Sequence, residues 1–548
     1  MGVEKRVYFF QSGEGEGSLE IRDILGNKGA RLADMASIGI AVPPGFIISA
    51  EVGKYYTGEG QYPPGLKDEV NANLRKLERA TGRKFGDPEN HLLVSARSGA
   101  AVSMPGMMDT VLNIGLNRSI VDRLIKNNKA PWFVWDCYRR LLQSFGTAVE
   151  GIEDGEFDII IRNKVSEGNL TSETQLEVED LRDVTQEFEE VFQKHGKSFL
   201  ESVDEQLWRS IGRVFQSWNT PRAIEYRRMK NISGDLPGTA VTVQTMVFGN
   251  SGDNSCSGVV FSRDISTGNR GLYGEYLTNV QGEDVVAGTR RPKEIEELRE
   301  EMPEVYPALE KTLEKLEKRY KDVQDVEFTV DEGRLFMLQS RTAKRTPKAA
   351  IKIAVDMVEE GLITKEEALS RISTEQLEQS VATQLDSVEK KVITSGIPIS
   401  PGVVSGRVVF TPKDALVWKG KGEQVILVRQ ETSPADVAGI KAAVGLVTSR
   451  GGTSSHAAII CRDLGKPSVV GCQGICIEYK DKQCRMPEGT IIREGDKISI
   501  DGSSGEVILG EVPVVSLDQD EDLNKLLKLA ESSPAGQKIG DYLTRQNA

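Results

Sequence analysis

The chain has 548 residues, more than one hydrophobic core can hold, and its length indicates three or four domains. A net charge of −13 argues against nucleic acid as the main partner, and no apolar run approaches the length of a membrane span. Residues 1–6 do not have the pattern of a signal or transit sequence, and the six cysteines lack the paired spacing of a zinc site. We therefore expect reduced thiols and a cytoplasmic protein without membrane or nucleic-acid partners.

The N-terminal part of the chain alternates short apolar strands with an amphipathic helix. Strands are predicted at residues 7–11, 42–48 and 91–96, and a helix at residues 26–38. The sequence Gly-Asn-Lys-Gly opens that helix and places Lys28 between glycines. Arg97 lies at the end of the third strand, directly before Ser-Gly. Each of these two cations is commonplace alone, but both lie where the backbone is free to approach a ligand.

Residues 118–232 are rich in charge and in helical patterning, and the pattern then changes to strands. Strands are predicted at residues 240–248, 258–263 and 274–280, and an amphipathic helix at residues 307–320. The loop of residues 249–258, rich in Gly, Ser and Asn, is predicted to close over phosphate groups with its backbone N–H groups.

Residues 325–341 alternate as a β-hairpin does, with charged and polar residues on one side. A three-residue loop at 332–334 would place Glu327 opposite Gln339 and Asp325 opposite Arg341. Two carboxylates on one face can share Mg²⁺ ions that bridge nucleotide phosphates, and Arg341 can neutralise a terminal phosphate. A solvated charged face is the alternative explanation. The opposite side collects the apolar residues Val326, Phe328, Val330, Phe336 and Leu338.

A change in composition after Arg341 marks a domain boundary. A helix is predicted to end at Gly361, and Thr364 and Glu367 have the spacing of a capping box for a second helix. Residues 373–392 are polar and resemble a linker. A unit of short strands follows, with strands predicted at residues 403–410, 424–429, 444–448 and 497–501.

His456 lies inside this last unit, after the sequence Thr-Ser-Arg-Gly-Gly-Thr-Ser-Ser. The two glycines allow close approach of the backbone to a ligand, and Ser454 or Ser455 can cap a helix at about residues 456–464. The helix dipole and free N–H groups would then stabilise a phosphoryl group on the imidazole. We interpret His456 as a covalent phosphate carrier. A buried, hydrogen-bonded histidine is the alternative. His91 and His195 have no comparable surroundings, and we treat both as structural.

These motifs, in order along nearly the whole chain, resemble those of pyruvate, phosphate dikinase. The run Ser-Met-Pro-Gly-Met-Met-Asp-Thr after Arg97 favours this family over the related phosphoenolpyruvate synthases. The matching segments are residues 26–29, 94–110, 274–284 and 324–328 and the His456 segment.

The resemblance implies a multidomain fold of mixed α+β and α/β type. Residues 1–341 would form an ATP-grasp nucleotide-binding domain, with a helical insert at about 118–232. Residues 342–395 would be a helical hinge, and residues 396–515 a swivelling β/β/α phosphohistidine domain. Residues 516–548 would be a helical tail leading towards a C-terminal barrel for pyruvate, which we expect to be missing from this chain.

The resemblance also implies a reaction. His456 would take the β-phosphoryl group of ATP while the γ-phosphoryl group passes to inorganic phosphate, and AMP and pyrophosphate would be released. The phosphohistidine would then phosphorylate pyruvate to phosphoenolpyruvate, through a missing or separate barrel. We expect only the first half-reaction on this chain.

The site residues that the resemblance implies fall into four groups. Catalysis would involve His456, Arg97 and Arg341, and Mg²⁺ or its waters would be bound by Asp325, Glu327 and Gln339. The nucleotide and its phosphates would also be held by Lys28, Ser257, Glu283, Gln244 and the residues up to 247. Ser257 replaces the family's usual threonine in the phosphate-covering loop. Ser454 stands at the position of a regulatory threonine.

Two other functions stay open on the sequence alone. One is a phosphoenolpyruvate synthase-like or other dikinase-type phosphotransferase with a different acceptor. The other is a regulatory protein that binds ATP without catalysis. The sequence does not predict the oligomeric state.

Overall fold

The computed structural model describes residues 5–102, 104, 107–127, 130–170, 172–199, 201–229, 232, 236–287, 292–373, 376–377, 383–385, 390–433, 436–453, 455–512, 514–516 and 521–531. Its internal contacts divide the chain into two units. The first unit is Met1–Cys256, Thr278–Val280 and Phe328–Ser340. The second unit is Ser257–Leu277, Gln281–Glu327 and Arg341–Ala548. Within the described residues, no helix combines the length and the apolar character needed to cross a membrane.

The first unit begins with eight strands and nine helices in its described part. The strands are β1 Val7–Gln11, β2 Glu14–Gly15, β3 Gly45–Ile48, β4 Lys84–Phe85, β5 His91–Leu92, β6 Val94–Ala100, β7 Thr110–Ile114 and β8 Thr239–Thr245. The helices are α1 Arg22–Ser37, α2 Ala50–Glu59, α3 Leu66–Thr81, α4 Arg118–Lys126, α5 Pro131–Phe145, α6 Asp154–Glu167, α7 Val178–Lys194, α8 Val203–Ser217 and α9 Pro221–Met229.

A six-stranded sheet organises this unit, in the order β2-β1-β3-β8-β6-β7. One face packs into a large apolar core, to which α3 contributes Leu74 and Leu77 and β8 contributes Val241 and Val243. Helix α1 covers the other face, where Gly29 lies against the side chain of Ile47. Residues on alternate positions of a strand point to opposite faces, so this arrangement separates α1 from α3.

Two differences from the sequence prediction concern the elements that carry Lys28 and Arg97. Helix α1 begins at Arg22 rather than at Gly26, and Gly26 forms a kink within it, with φ 70°. Strand β6 continues to Ala100, so Arg97 lies inside a strand and not at its end. The reason is tertiary, because β6 pairs with β8 over its whole length. Hydrogen bonding to a neighbouring strand extends β6 through Ser98 and Gly99, whose local propensity for a strand is low.

The described middle of the chain contains ten strands and α-helices, most of which the strand pattern and helical spacing predicted. They are β9 Cys256–Arg263, β10 Arg270–Thr278, α10 Gly282–Ala287, β11 Lys293–Glu294, α11 Leu298–Glu301, α12 Val305–Tyr320, β12 Gln324–Asp331, β13 Arg334–Thr342, α13 Pro347–Glu359 and α14 Lys365–Arg371. Their five strands have the order β11-β10-β9-β12-β13. The predicted capping box is confirmed, since the side chains of Thr364 and Glu367 each accept a hydrogen bond from the other residue's backbone N–H.

The hairpin of β12 and β13 has a shorter turn than predicted. Only Glu332 and Gly333 connect the strands, and both have positive φ, at 49° and 79°. This is the pattern of a type I′ turn, whose twist matches that of the strands. At the turn, Asp331 lies opposite Arg334. At the other end of the hairpin, the N–H of Ala343 donates to the carbonyl of Val323, so these two residues lie opposite one another. Strand β13 therefore holds one more residue than β12, as at a β-bulge. At the end away from the turn, the strands have the predicted register, in which Asp325 lies opposite Arg341.

The rest of the chain forms the carrier segment, which we define as residues 390–512. Its strands are β15 Val392–Ser395, β16 Ile397–Ser400, β17 Val403–Val409, β18 Val425–Arg429, β19 Gly445–Thr448, β20 Ser468–Val470, β21 Cys476–Glu478, β22 Gln483–Arg485, β23 Ile491–Arg493, β24 Lys497–Asp501 and β25 Glu506–Leu509. Two further strands flank the segment and pair with each other, β14 Thr383–Leu385 before it and β26 Val514–Ser516 after it. Its helices are α15 Pro412–Gly420, α16 Val437–Ala442 and α17 His456–Asp463, and α18 Glu521–Glu531 follows.

An eight-stranded sheet forms the body of the carrier segment, in the order β15-β25-β24-β17-β18-β19-β20-β16. The strands β17 to β20 run parallel to their neighbours in this run. Apolar side chains cover both faces of the sheet. Helix α17 packs on one of them through Ala457, Ala458 and Cys461. Since parallel strands end at the same edge, the loops that follow β18 and β19 meet there.

Candidate active site

His456 is the first residue of α17, as predicted. Ser455 is the N-cap, and its side chain accepts a hydrogen bond from the N–H of Ala458 at 3.4 Å. Ser454, the other predicted cap and the predicted regulatory position, lies outside the described residues. The imidazole is half-buried at the end of the helix where backbone N–H groups are free to bind an anion.

Thr432 holds one nitrogen of this imidazole. Its Oγ1 lies 3.2 Å from Nδ1 of His456. If the Nδ1–H group donates to Thr432, the proton is fixed on Nδ1 and the lone pair of Nε2 is left for a nucleophilic attack. Thr432 lies in the loop after β18, and sequence reasoning missed it. The parallel pairing of β18 with β19 is the signal that would have brought this loop to His456.

Burial lowers the pKa of His456, and the negative charge of Asp436 opposes that shift. Asp436 is itself fixed, because it accepts hydrogen bonds from the N–H and Oγ of Ser433, at 2.7 and 3.0 Å. It also forms an ion pair of 3.3 Å with Arg429. The net effect keeps the imidazole neutral, and a neutral imidazole is the form that can act as a nucleophile.

The loop before His456 is held by a carboxylate of β10. The N–H of Thr453 donates to Oε2 of Glu275 at 3.0 Å, and Glu275 is buried. A Cβ atom on Gly452 would lie 2.5 Å from the same carboxylate. The sequence indicated that this glycine admits a close approach, and the group that approaches it is the Glu275 carboxylate. Sequence reasoning did not single out Glu275.

A buried cation of α17 lies close to this contact. Arg462 is almost fully buried, donates from Nη2 to the carbonyl of Thr453, and lies with its guanidinium 6.0 Å from the Phe261 ring. Burial lowers its pKa, while the charges of Asp325 and Glu275 act in the opposite direction. The helix that begins at His456 therefore places a positive charge within electrostatic range of two carboxylates of the five-stranded sheet.

Asp325 and Arg341 form the predicted pair on that sheet. Nε of Arg341 donates to Oδ2 of Asp325 at 2.6 Å, which confirms that these two side chains share a face. Asp325 is buried, and its other oxygen, Oδ1, has no hydrogen-bond partner among the described residues. Burial raises the pKa of Asp325, against the effect of the Arg341 charge. A buried carboxylate with an unsatisfied oxygen is costly unless a cation or donor completes it.

The donor set suits a hard cation. Within the described part of the chain, no three His, Cys, Asp or Glu side chains come together as a ready metal cluster. Mg²⁺ at nucleotide sites uses one or two carboxylates and completes its shell with phosphate oxygens and water. The orphaned Oδ1 of Asp325, with the half-buried Glu327 two residues along β12, fits that requirement.

The first unit carries Lys28 and Arg97, and a close backbone contact joins their elements. A Cβ atom on Gly26 would lie 1.9 Å from the carbonyl oxygen of Gly99. Gly26 and Gly99 therefore let the N-terminal turns of α1 contact β6. Gly26 is two residues from Lys28, and Gly99 is two residues from Arg97. Both cations are half-buried. Arg97 pairs across the sheet with Thr242, whose Oγ1 is buried and has no partner among the described residues.

The remaining predicted site residues are less informative. Gln244 is buried in β8 and donates from Nε2 to the carbonyl of Pro43 at 3.0 Å, and Gln339 is half-buried in β13. Ser257 is fully buried in β9, so its predicted position in the loop is wrong, because β9 begins at Cys256. Glu283 lies in α10, but its side chain falls outside the described part.

Two family models match this chain. The model described as "Pyruvate phosphate dikinase, AMP/ATP-binding domain" matches residues 59–306 and 302–362. The model described as "PEP-utilising enzyme, mobile domain" matches residues 421–505, which include His456.

Curated relatives agree with these matches. Pyruvate, phosphate dikinase 2 of Oryza sativa subsp. japonica is 46% identical over 516 residues, which are 93% of this chain and 58% of the relative. Pyruvate, phosphate dikinase of Rhizobium meliloti (strain 1021) is 43% identical over 546 residues, 97% of this chain and 61% of the relative. The chain thus spans somewhat more than half the length of the relatives it matches. It belongs to the pyruvate, phosphate dikinase family.

Proposed function

We propose that this chain carries out the first half of the pyruvate, phosphate dikinase reaction, with His456 as the phosphate carrier. The names of the relatives support the reaction class. The observation that carries the proposal is the contact between Thr453 and Glu275, since it brings the carrier loop to the sheet that holds Asp325 and Arg341. The fold that we propose is an ATP-grasp domain followed by a swivelling phosphohistidine domain.

The proposed step is phosphoryl transfer from ATP to His456. The lone pair of Nε2 of His456 attacks the β-phosphorus of ATP, a new N–P bond forms, and the bond from that phosphorus to the α-phosphate oxygen breaks. AMP leaves with the bridging oxygen. The γ-phosphoryl group passes to inorganic phosphate, which gives pyrophosphate and leaves one phosphoryl group on His456. Thr432 keeps the Nδ1 proton in place throughout, so no separate base is required.

Charge neutralisation supplies most of the catalysis in such transfers. We propose that Lys28, Arg97 and Arg341 bind the phosphates, and that Asp325, Glu327 and Gln339 hold Mg²⁺ or its waters. Bound Mg²⁺ would supply charge neutralisation on the phosphate oxygens. The nucleotide itself would be held by Glu283, Ser257, Gln244 and the residues up to 247.

Onward transfer to pyruvate requires an acceptor domain, and we propose that it lies in the part of the relatives that this chain does not span. The carrier must then leave the nucleotide. We propose that residues 396–515 move as a body about the segment 342–395. Its release would break the hydrogen bond from the N–H of Thr453 to Glu275, whereas the bond from Arg462 to the carbonyl of Thr453 lies within the moving body. The free thiols of all six cysteines support the proposed cytoplasmic location.

The test is a single-turnover labelling experiment. ATP labelled at the β-phosphorus, with Mg²⁺ and phosphate, should place acid-labile, base-stable label on the protein and release one equivalent of AMP and pyrophosphate. His456→Ala should abolish the label. His195→Ala is the matched control, because His195 is exposed and bonded to Glu156 at 2.8 Å, and it should label normally. ATP binding without pyrophosphate release would instead support the regulatory alternative.

A further inference from the structure

The first unit contains a cavity of about 690 Å³ whose lining includes none of the residues that we propose to bind the phosphates or Mg²⁺. Its walls come from the end of β8 and the residues that follow it, the end of α3 with the loop after it, and the turn between β12 and β13. This volume is typical of a site for a small molecule.

The cavity lies on the opposite face of the six-stranded sheet from Arg97, which we propose to bind the ATP phosphates. Arg97 pairs with Thr242, so that Arg97, Thr242 and Gln244 point to the face that α1 covers. Thr245, one position further along β8, points with Val243 to the face of α3, and it lines the cavity. Among the described residues, the lining includes neither Lys28 nor Arg97 nor Gln244, but it does include Thr245, Met246 and Val247, which we propose for the adenine edge.

An unsatisfied hydroxyl marks the cavity wall. Thr245 is 8% exposed, and its Oγ1 has no hydrogen-bond partner among the described residues. Leaving a buried hydroxyl unpaired is costly, and native structures do so rarely. A ligand that donates to or accepts from this oxygen would remove the cost.

The other walls combine aromatic rings with two guanidinium groups. Phe133 and Phe248 pack edge to face at 4.7 Å, and Arg334 lies over the Phe336 ring at 5.5 Å. Arg334 and Arg83 line the cavity, and neither guanidinium forms an ion pair with a residue in the described ranges. Rings of this kind favour a flat apolar body, and guanidinium groups bind carboxylate, sulfonate or phosphate.

The acidic residues of the lining do not cancel this preference. Glu89 forms an ion pair with Arg123 at 2.8 Å. Asp331 accepts hydrogen bonds from the N–H of Phe248 at 3.2 Å and from Oγ of Ser251 at 2.5 Å. Glu332 is exposed in the turn. The two arginines are therefore the charges best placed to bind a ligand.

We propose that this cavity is a second binding site, for a small organic anion with a planar ring, and that it adjoins the proposed adenine edge of the ATP site. The ring packs between Phe133, Phe248 and Phe336, the anionic group binds Arg83 and Arg334, and a polar atom of the ligand bonds to Thr245. Thr245 directly follows Gln244, so a ligand here contacts the strand that we propose for the adenine edge.

Calorimetric titration with naphthalene-2-sulfonate tests the proposal on the whole chain. We expect one saturable site that still binds the probe when Mg²⁺-ATP is saturating. The neutral isostere naphthalene-2-sulfonamide should bind at least about tenfold more weakly, because it loses the charge-assisted bonds. Displacement by ATP, no saturable binding, or equal binding of the two probes overturns the proposal.

Variants locate the site. The double variant Arg83→Gln/Arg334→Gln should lose at least about tenfold in affinity for the sulfonate. Thr245→Val, which keeps the shape of the side chain, should also bind more weakly. Arg79→Gln is the matched control, since Arg79 is an exposed residue of α3 that does not line the cavity, and it should bind as the parent does. Both cavity arginines are exposed, so folding should survive, which thermal unfolding checks. Unchanged affinity in the double variant overturns the assignment.

Discussion

Thr432 and His456 lie on different loops, yet Oγ1 of one is 3.2 Å from Nδ1 of the other. Two parallel strands, β18 and β19, bring the loops together. We propose that the Nδ1–H group donates in this contact, which keeps the proton on Nδ1 and leaves the lone pair of Nε2 for the nucleophilic attack.

Replacing Thr432 with valine keeps the shape of the side chain but removes the hydroxyl. The tautomer is then no longer fixed, and we expect the rate of phosphorylation of His456 in a single turnover to fall roughly ten- to a hundredfold. Thr432→Ser should retain most of the rate. A valine variant as fast as the parent would show that the hydroxyl has no positioning role.

The pH dependence of that rate follows from the pKa of His456. Burial holds it below its ordinary value of 6.5, so the rate should stay level as pH falls to 6.5 and decline only below it. The Asp436 charge raises this pKa, and Asp436→Asn should therefore move the decline to still lower pH. Asp463→Asn, an exposed residue at the end of α17, is the control and should not move it. A decline that moves to higher pH contradicts this electrostatic explanation.

We predict that the Asp325 carboxylate lowers the free energy of unfolding at neutral pH, although phosphorylation of His456 requires it. Because burial raises its pKa above the ordinary 3.8, its ionisation at neutral pH opposes folding. Asp325→Asn still accepts from Arg341, so the midpoint of thermal unfolding at pH 7 should be no lower than that of the parent, and any gain should shrink towards pH 3.8. Labelling of His456 should fall by about a hundredfold or more with the loss of the carboxylate.

Asp325→Ala separates the two effects. It removes the acceptor for Nε of Arg341 as well as the charge, and it should lower the unfolding midpoint. If the asparagine and alanine variants have the same unfolding midpoint, the charge of Asp325 is not what destabilises the folded state.

Gly26 is predicted to be indispensable for the position of Lys28. Alanine there would place its Cβ 1.9 Å from the carbonyl of Gly99, so α1 must move away from β6. We expect a large loss of unfolding free energy in urea and a higher KM for ATP. Gly39→Ala is the matched control, because Gly39 has a similar φ of 74° but open space around it. It should cost only the backbone strain of roughly 1–2 kcal/mol, with KM unchanged. Equal losses in the two variants would contradict the steric explanation.

Local elements of the candidate site followed from the sequence. The start of α17 at His456, the capping box of Thr364 and Glu367, and the ion pair of Asp325 with Arg341 depend on neighbours within a turn or a hairpin. Capping groups and hydrophobic spacing carry that information in the sequence itself.

The errors arose where chain segments distant in sequence decide the geometry. Pairing with β8 drew Arg97 and Gly99 into a strand, and the sheet forced Glu332 into a left-handed conformation that its own preference disfavours, which shortened the turn.

By itself, the sequence determined the charged hairpin, the family and the choice of His456 as the proposed carrier. Only the tertiary structure decided that Thr432 and Asp436 surround His456, that Glu275 holds the loop before it, and that Thr245 faces a cavity behind the sheet. The physical reason is that a residue's neighbours across a sheet are set by strand order and register. These depend on the burial of whole faces and on no single local motif.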